Sequence, residues 1–183
     1  VSMDLDGFTI SQSTYSSTAN IYYMAIGGID DAKVGRFSIN TSTGLQDITN
    51  VGFRPDTLIL STTTVKTNYN TTSGNDLLMT MGFADNDLNQ CSYTIAEDHV
   101  ITGGSVSRCG YDHKRILNRR SVSGSSIDRA TLVSYLSNGF RLDIDKVGAN
   151  AFHKYYIALK GLDSKLSFQT PKSTGNVATT GIG

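Results

Sequence analysis

The chain has 183 residues, with 16 Lys and Arg set against 16 Asp and Glu, and 17% of it charged. That balance excludes a whole-chain field for nucleic acid or an anionic membrane, and no apolar run approaches the ~18 residues of a membrane-spanning helix. Glu97 is the sole glutamate, and a glutamate-poor chain rich in Thr, Ser, Tyr, Val and Ile disfavours helices and suits strands. The length suffices for a core without staples. No basic region followed by an apolar stretch opens the chain, so no signal peptide is predicted.

Short alternating or apolar stretches, set between Gly, Asn, Asp and Ser clusters, predict strands over 7–10, 21–26, 35–39, 57–64, 77–83, 91–95, 130–135, 139–144, 154–159 and 166–168. Asp6-Gly7 and Asn138-Gly139 each predict a tight turn ahead of a strand, because Asp and Asn tolerate positive φ. Pro55, just before Thr57-Leu58-Ile59-Leu60, fits a strand entrance rather than its middle. Residues 68–75 read as a polar loop. Residues 97–126, with glycines at 103, 104, 110 and 124, read as the longest irregular region and the place for module-specific function. In Tyr155-Tyr156-Ile157-Ala158-Leu159, Tyr155, Ile157 and Leu159 face one way and Tyr156 and Ala158 the other. The small alanine marks close packing against an opposite sheet, and burial on both sides marks a central strand. The predicted core contains Phe37, Leu58, Leu60, Phe140, Ile157 and Leu159. Many short strands with frequent turns predict an all-β, antiparallel β-sandwich.

The chain also repeats itself. Val1-Ser2-Met3-Asp4-Leu5-Asp6-Gly7-Phe8 is echoed by Val133-Ser134-Tyr135-Leu136-Ser137-Asn138-Gly139-Phe140, and Tyr22-Tyr23-Met24-Ala25-Ile26 by Tyr155-Tyr156-Ile157-Ala158-Leu159. Phe37 with Ser42-Thr43-Gly44 is echoed by Phe168 with Ser173-Thr174-Gly175. The displacements are 132 from Phe8 to Phe140, 133 from Tyr22 to Tyr155 and 131 from Gly44 to Gly175. This predicts an internal repeat of about 131 residues, cut out of phase. Residues 1–27 read as the closing hairpin of a preceding repeat, 28–161 as one complete sandwich module, and 162–183 as the opening segment of a following repeat. With no Met at its start, the chain reads as a piece of a longer polypeptide. Modules in series serve reach, valency or assembly, and each copy is long enough to be globular.

Candidate contact residues are weighed against plainer roles. Arg108, Lys114, Arg115, Arg119, Arg120 and Arg129 form a basic cluster in a balanced chain. They suit an acidic partner surface, since the arginine fork makes paired hydrogen bonds; the plainer reading pairs them with Asp112 and Asp128. No interleaved aromatics of the RNA-binding kind accompany them. Tyr22 and Tyr23 are apolar enough to need cover, and an uncovered strand invites pairing. Tyr69, Tyr93 and Tyr111 are the alternative, glycan-contacting set. Cys91 and Cys109 read either as a bridge between neighbouring strands or as two free buried thiols. Asp85-Asn86-Asp87-Leu88-Asn89 has the oxygen-rich start of a calcium loop, but Gln90 stands where the turn glycine belongs, so it reads as a turn. Asp143 and Asp145 fit an exposed strand face. His99, His113 and His153 are scattered, and no nucleophile elbow or helical zinc motif occurs, so no enzyme, cofactor or metal is expected.

The strands carry a pattern: Phe37, Ser42-Thr43-Gly44, Gly52-Phe53-Arg54-Pro55, Met81-Gly82-Phe83-Ala84, Asn138-Gly139-Phe140 and Tyr155-Tyr156-Ile157-Ala158-Leu159-Lys160-Gly161. Over residues 28–161 it resembles modules of tailed-phage and prophage virion proteins. That resemblance implies a non-enzymatic structural part of a virion, as capsid decoration, tail or fibre. Its partners would be other copies of itself or other virion proteins, with no nucleic acid and no membrane. The Pro-containing strand and the closing aromatic strand are also faintly similar to H-type lectins, whose closing strand usually carries the tryptophan that this chain lacks. That second resemblance implies a carbohydrate-binding or adhesin module at a cell surface, with a host-surface glycan as ligand.

Overall fold

The computed structural model describes residues 2–4, 7–9, 23–62, 77–98, 106–148 and 153–166. Every regular element among them is a strand: β1 (Ser2–Asp4), β2 (Gly7–Thr9), β3 (Asp31–Ser38), β4 (Gly44–Ile48), β5 (Thr57–Thr62), β6 (Leu77–Ala84), β7 (Gln90–Asp98), β8 (Val106–Asp112), β9 (Leu117–Arg120), β10 (Ser126–Leu136), β11 (Gly139–Lys146) and β12 (His153–Lys160). β1 and β2 form a hairpin of their own. A four-stranded sheet runs β4-β11-β10-β9 and a six-stranded sheet β3-β12-β5-β6-β7-β8, with every pairing antiparallel.

The two larger sheets face each other across one core. Ile48, Leu132, Phe140, Leu142 and Ile144 come from one side, and Leu58, Leu60, Ala84, Tyr156 and Ala158 from the other. This is a sandwich-like layering, built by the period-two alternation of each strand. Its aromatic centre is Phe37, Phe140 and Tyr156. Phe140 and Tyr156 meet edge to face at 5.5 Å, and Phe37 lies 5.9 Å from Phe140 and 6.4 Å from Tyr156. Leu58, Leu60, Phe140 and Leu159 are buried as expected, and Tyr156 and Ala158 form the core-facing side of β12. β12 is central, flanked by β3 and β5.

Several expectations need correction. Ile157 lies half-buried on the outer side of the six-stranded sheet, and Phe37 packs on the core only partly buried. Residues 97–126 hold two strands, β8 and β9, whose Arg, Asn and Gly content hides the alternation. The turn ahead of Gly139 is where expected but for another reason. Asn138 does not adopt positive φ; Leu88 alone does so among the described non-glycine residues. Gly139 is needed because a Cβ there would stand 1.8 Å from the Ile48 carbonyl oxygen.

The N-terminal hairpin shares its register with the main fold. Its pairs are Ser2↔Thr9, Met3↔Phe8 and Asp4↔Gly7. The last pairs of β10 and β11 are Ser134↔Arg141, Tyr135↔Phe140 and Leu136↔Gly139, each displaced by 132. The likeness then stops. Residues 23–27, the described part of the expected 21–26 strand and its sequel, belong to no strand and are exposed. No described strand lies beside them as β3 and β5 lie beside β12. Leu166 of the expected 166–168 strand is likewise outside any strand, and the rest of that segment lies outside the described residues.

Candidate interaction surface

Directly opposed residues of an antiparallel ladder project on the same side of the sheet. The outer side of the six-stranded sheet is therefore read in rows. One row runs Val34, Ile157, Ile59, Phe83, Cys91. The next runs Arg36, Tyr155, Ser61, Met81, Tyr93, Tyr111. A third includes Met79, Ile95 and Cys109. Arg36, at the β3 edge, is the one charged side chain in these rows. Most of the others are half-buried by their neighbours, while Val34 stands 71%, Tyr111 76% and Tyr93 47% exposed. Monomeric proteins rarely leave so continuous an apolar area uncovered. Tyr and Met, abundant here, are enriched at protein interfaces.

β6 shows how this face arises. Its large Met79, Met81 and Phe83 point outward, and its smaller Thr80, Gly82 and Ala84 inward. At Gly82 the inner position admits no side chain because the chain leading into β9 crosses there: a Cβ would meet the Ile116 carbonyl oxygen at 1.7 Å. The bulk displaced from the core side reappears on the surface.

Tyr93 and Tyr111 are directly paired and exposed. The Cys109 thiol beside Tyr93 holds its hydroxyl above the ordinary tyrosine range. Tyr69, the third member of the glycan set, lies outside the described residues. The pair's same-side neighbours are Met81, Ile95 and Cys109, not the carboxylates or amides that orient a sugar. Both cysteines are free. Cys109 opposes Ile95, four residues along β7 from Cys91, a separation of roughly 14 Å at ~3.4 Å per residue and too great for a disulfide. Burial pushes the Cys91 thiol up.

The basic residues do not form one patch. Arg119, expected at the surface, is buried with Asp128 and Lys154: Arg119 Nε donates to Asp128 Oδ1 at 2.8 Å and Lys154 Nζ to Oδ2 at 2.8 Å. Burial lowers the Lys154 ammonium against the opposing pull of Asp128. Arg115 and Arg129 both reach Asp145, at 2.9 Å each, on the outer side of the four-stranded sheet. Arg115 also meets Asp112 at 3.3 Å. Lys114 is exposed. Arg108 donates to the Ser123 carbonyl and, with Arg120, Ser121 and Gly124, lines an open cleft of about 180 Å³. Tyr23 is exposed, and Tyr22 lies outside the described residues.

The acidic turn is occupied by its own chain. Asp85 accepts from the Asp87 and Asn89 amides, from Asn89 Nδ2 and from the Leu166 amide, so both its oxygens are engaged. Asp143 and Asp145 are exposed on their strand as expected. His113 is exposed and His153 approaches Ser38 Oγ at 3.4 Å, which keeps the described histidines apart. Comparison with family models, curated proteins and solved structures yields no match.

Proposed function

We propose that this chain is a non-catalytic structural module, built as a repeating β-sandwich, that works through protein–protein contacts with copies of itself. The apolar outer side of the six-stranded sheet carries the reading. Burying such a surface against another protein is favourable at about 25 cal/mol per Å² of apolar area, before the costs of association. The repeat pattern and the shared hairpin register support reuse of the unit in series. The strand pattern favours a virion part, as capsid decoration, tail or fibre, and a virion as its location.

A second reading, a glycan-binding adhesin module at a cell surface, rests on the exposed Tyr93–Tyr111 pair alone. One experiment separates the two. The chain is followed by sedimentation velocity over rising concentration and, in parallel, titrated with neutral and acidic oligosaccharides. Concentration-dependent association without saccharide binding supports the structural reading. A concentration-independent monomer that binds a saccharide, and loses it on Tyr111→Ala, overturns it in favour of the second.

A further inference from the structure

Arg115, Arg119 and Arg129 each hold a carboxylate at 2.8 or 2.9 Å. Arg108 and Arg120 differ. Among the described residues, neither guanidinium forms an ion pair. Arg108 Nη1 donates to the Ser123 carbonyl at 3.2 Å, which offsets no charge. The two arginines come from different strands, β8 and the end of β9, yet both line the cleft of about 180 Å³.

The fold builds that cleft on the inner side of the β8 edge. Arg108 pairs directly with Ala96, and Gly110 with Thr94, so both β8 residues share the buried side of β7. Thr94 Oγ1 donates to the Asn118 carbonyl at 2.7 Å and ties β7 to β9. Arg120 lies alongside Gly110, its Nη1 3.8 Å from where a Cβ would stand. The β9–β10 turn forms the facing wall. There the Ser121 amide donates to the Ser125 carbonyl at 2.9 Å and the Gly124 amide to the Ser121 carbonyl at 2.8 Å. Gly124 has φ +85°, and a Cβ there would stand 2.3 Å from Arg108 Nη1. Glycine lets this turn and the guanidinium lie together.

The space is smaller than the ~300–1,000 Å³ of pockets that enclose a whole small molecule, so it suits one anionic group. A single carboxylate would offset one of the two cations. A phosphomonoester carries about −1.5 to −2 at pH 7 and three acceptor oxygens, which match two guanidinium forks. The open mouth leaves the remainder of such a ligand in water.

We propose that Arg108 and Arg120 form a binding site for a phosphate group, either the free ion or the monoester of a small molecule. The site goes beyond self-association and does not depend on it, because the cleft lies on the inner side of β7 and β8 and the apolar rows on the outer side.

Amide NMR on the full chain tests it, with inorganic phosphate, glycerol phosphate and acetate titrated at constant ionic strength. The Gly110, Ser121 and Gly124 resonances should shift saturably with phosphate, and more weakly with acetate. Arg108→Gln and Arg120→Gln should each weaken phosphate about tenfold, the scale of losing a hydrogen bond to a charged group. Arg141→Gln, on the four-stranded sheet, should leave the affinity unchanged. Glycerol phosphate binding as tightly as inorganic phosphate, or more tightly, identifies a monoester as the ligand; weaker binding identifies the free ion. No saturable shift at these three amides, acetate bound as tightly as phosphate, or wild-type affinity in both glutamine variants overturns the proposal. The wild-type shifts need no substitution, so they decide the matter even if a variant fails to fold.

Discussion

The outer sides of the two sheets are opposites. On the four-stranded sheet, Arg141 holds Asp47 through two bonds, one of them 2.7 Å, and Asp145 is shared by Arg115 and Arg129. These paired charges neutralise one another locally, and groups so satisfied gain little from a partner. On the six-stranded sheet, Met, Ile, Phe and Tyr fill successive rows whose one charge is Arg36 at the β3 edge. The same alternation produces both sides. What differs is which residues alternate with the core-facing ones: acids and arginines on β11, large apolar groups on β6. A strand pattern therefore locates a core without saying whether the reverse side meets water or protein.

The largest expected effect lies between the two sides. Arg119 and Lys154 share Asp128 in a nearly dry site. Asp128→Ala removes the carboxylate that both buried cations share and should cost about 3–5 kcal/mol in urea unfolding. A loss near that of a surface pair would mean that water reaches the cluster. Next comes the apolar side. Tyr111→Lys should weaken self-association roughly thirtyfold, the effect of losing an interface anchor worth about 2 kcal/mol. Its melting temperature should move by no more than about 2 °C. Asp143→Lys, on the charged side, should leave association unchanged; equal effects from both substitutions would dissolve the contrast.

Smaller effects probe the charged side itself. Asp145→Ala removes the shared carboxylate and should cost under about 1 kcal/mol, shrinking further in high salt, as measured by chemical denaturation at two ionic strengths. The smallest concerns Asp112. Burial alone would raise its carboxyl, but the Lys114 amide, the Asn118 amide group and the Arg115 guanidinium hold it below the usual carboxylate range. A depressed carboxyl contributes stability above its unfolded value, near pH 4, and loses it as pH falls through the folded value. Thermal melts from pH 6 to 2 should therefore show acid destabilisation that is blunted in Asp112→Asn.

Much of the fold was legible where alternation is simple. Tyr156 and Ala158 against Tyr155 and Ile157 revealed β12 and its central place, although Ile157, expected in the core, lies on the outer side. Pro55 marked the start of β5, and Asn138-Gly139 marked a turn, although a close approach rather than positive φ explains its glycine. β9 was illegible because Leu117-Asn118-Arg119-Arg120 looks like a solvated basic run. Arg119 is buried against Asp128, 9 residues away in sequence, a carboxylate that Lys154 also reaches. The apolar side was illegible for a related reason. Met79, Met81 and Phe83 would be taken for core residues on size, yet they lie on the outer side, opposite the inner position where Ile116 leaves room only for Gly82. Tyr93 and Tyr111 were recognisable as exposed aromatics, but their company of Met81, Ile95 and Cys109 depends on register that no local pattern records.

Cys109 offers a native reporter of the central claim, since it is free and exposed within the apolar rows. Its rate of alkylation by iodoacetamide, measured by mass spectrometry across a range of protein concentrations, can be set beside that of a cysteine placed by Asp143→Cys on the charged side. The account predicts that Cys109 becomes protected as the chain associates while the residue-143 thiol keeps a constant rate. Undiminished alkylation of Cys109 at concentrations where the chain sediments as an assembly would contradict it.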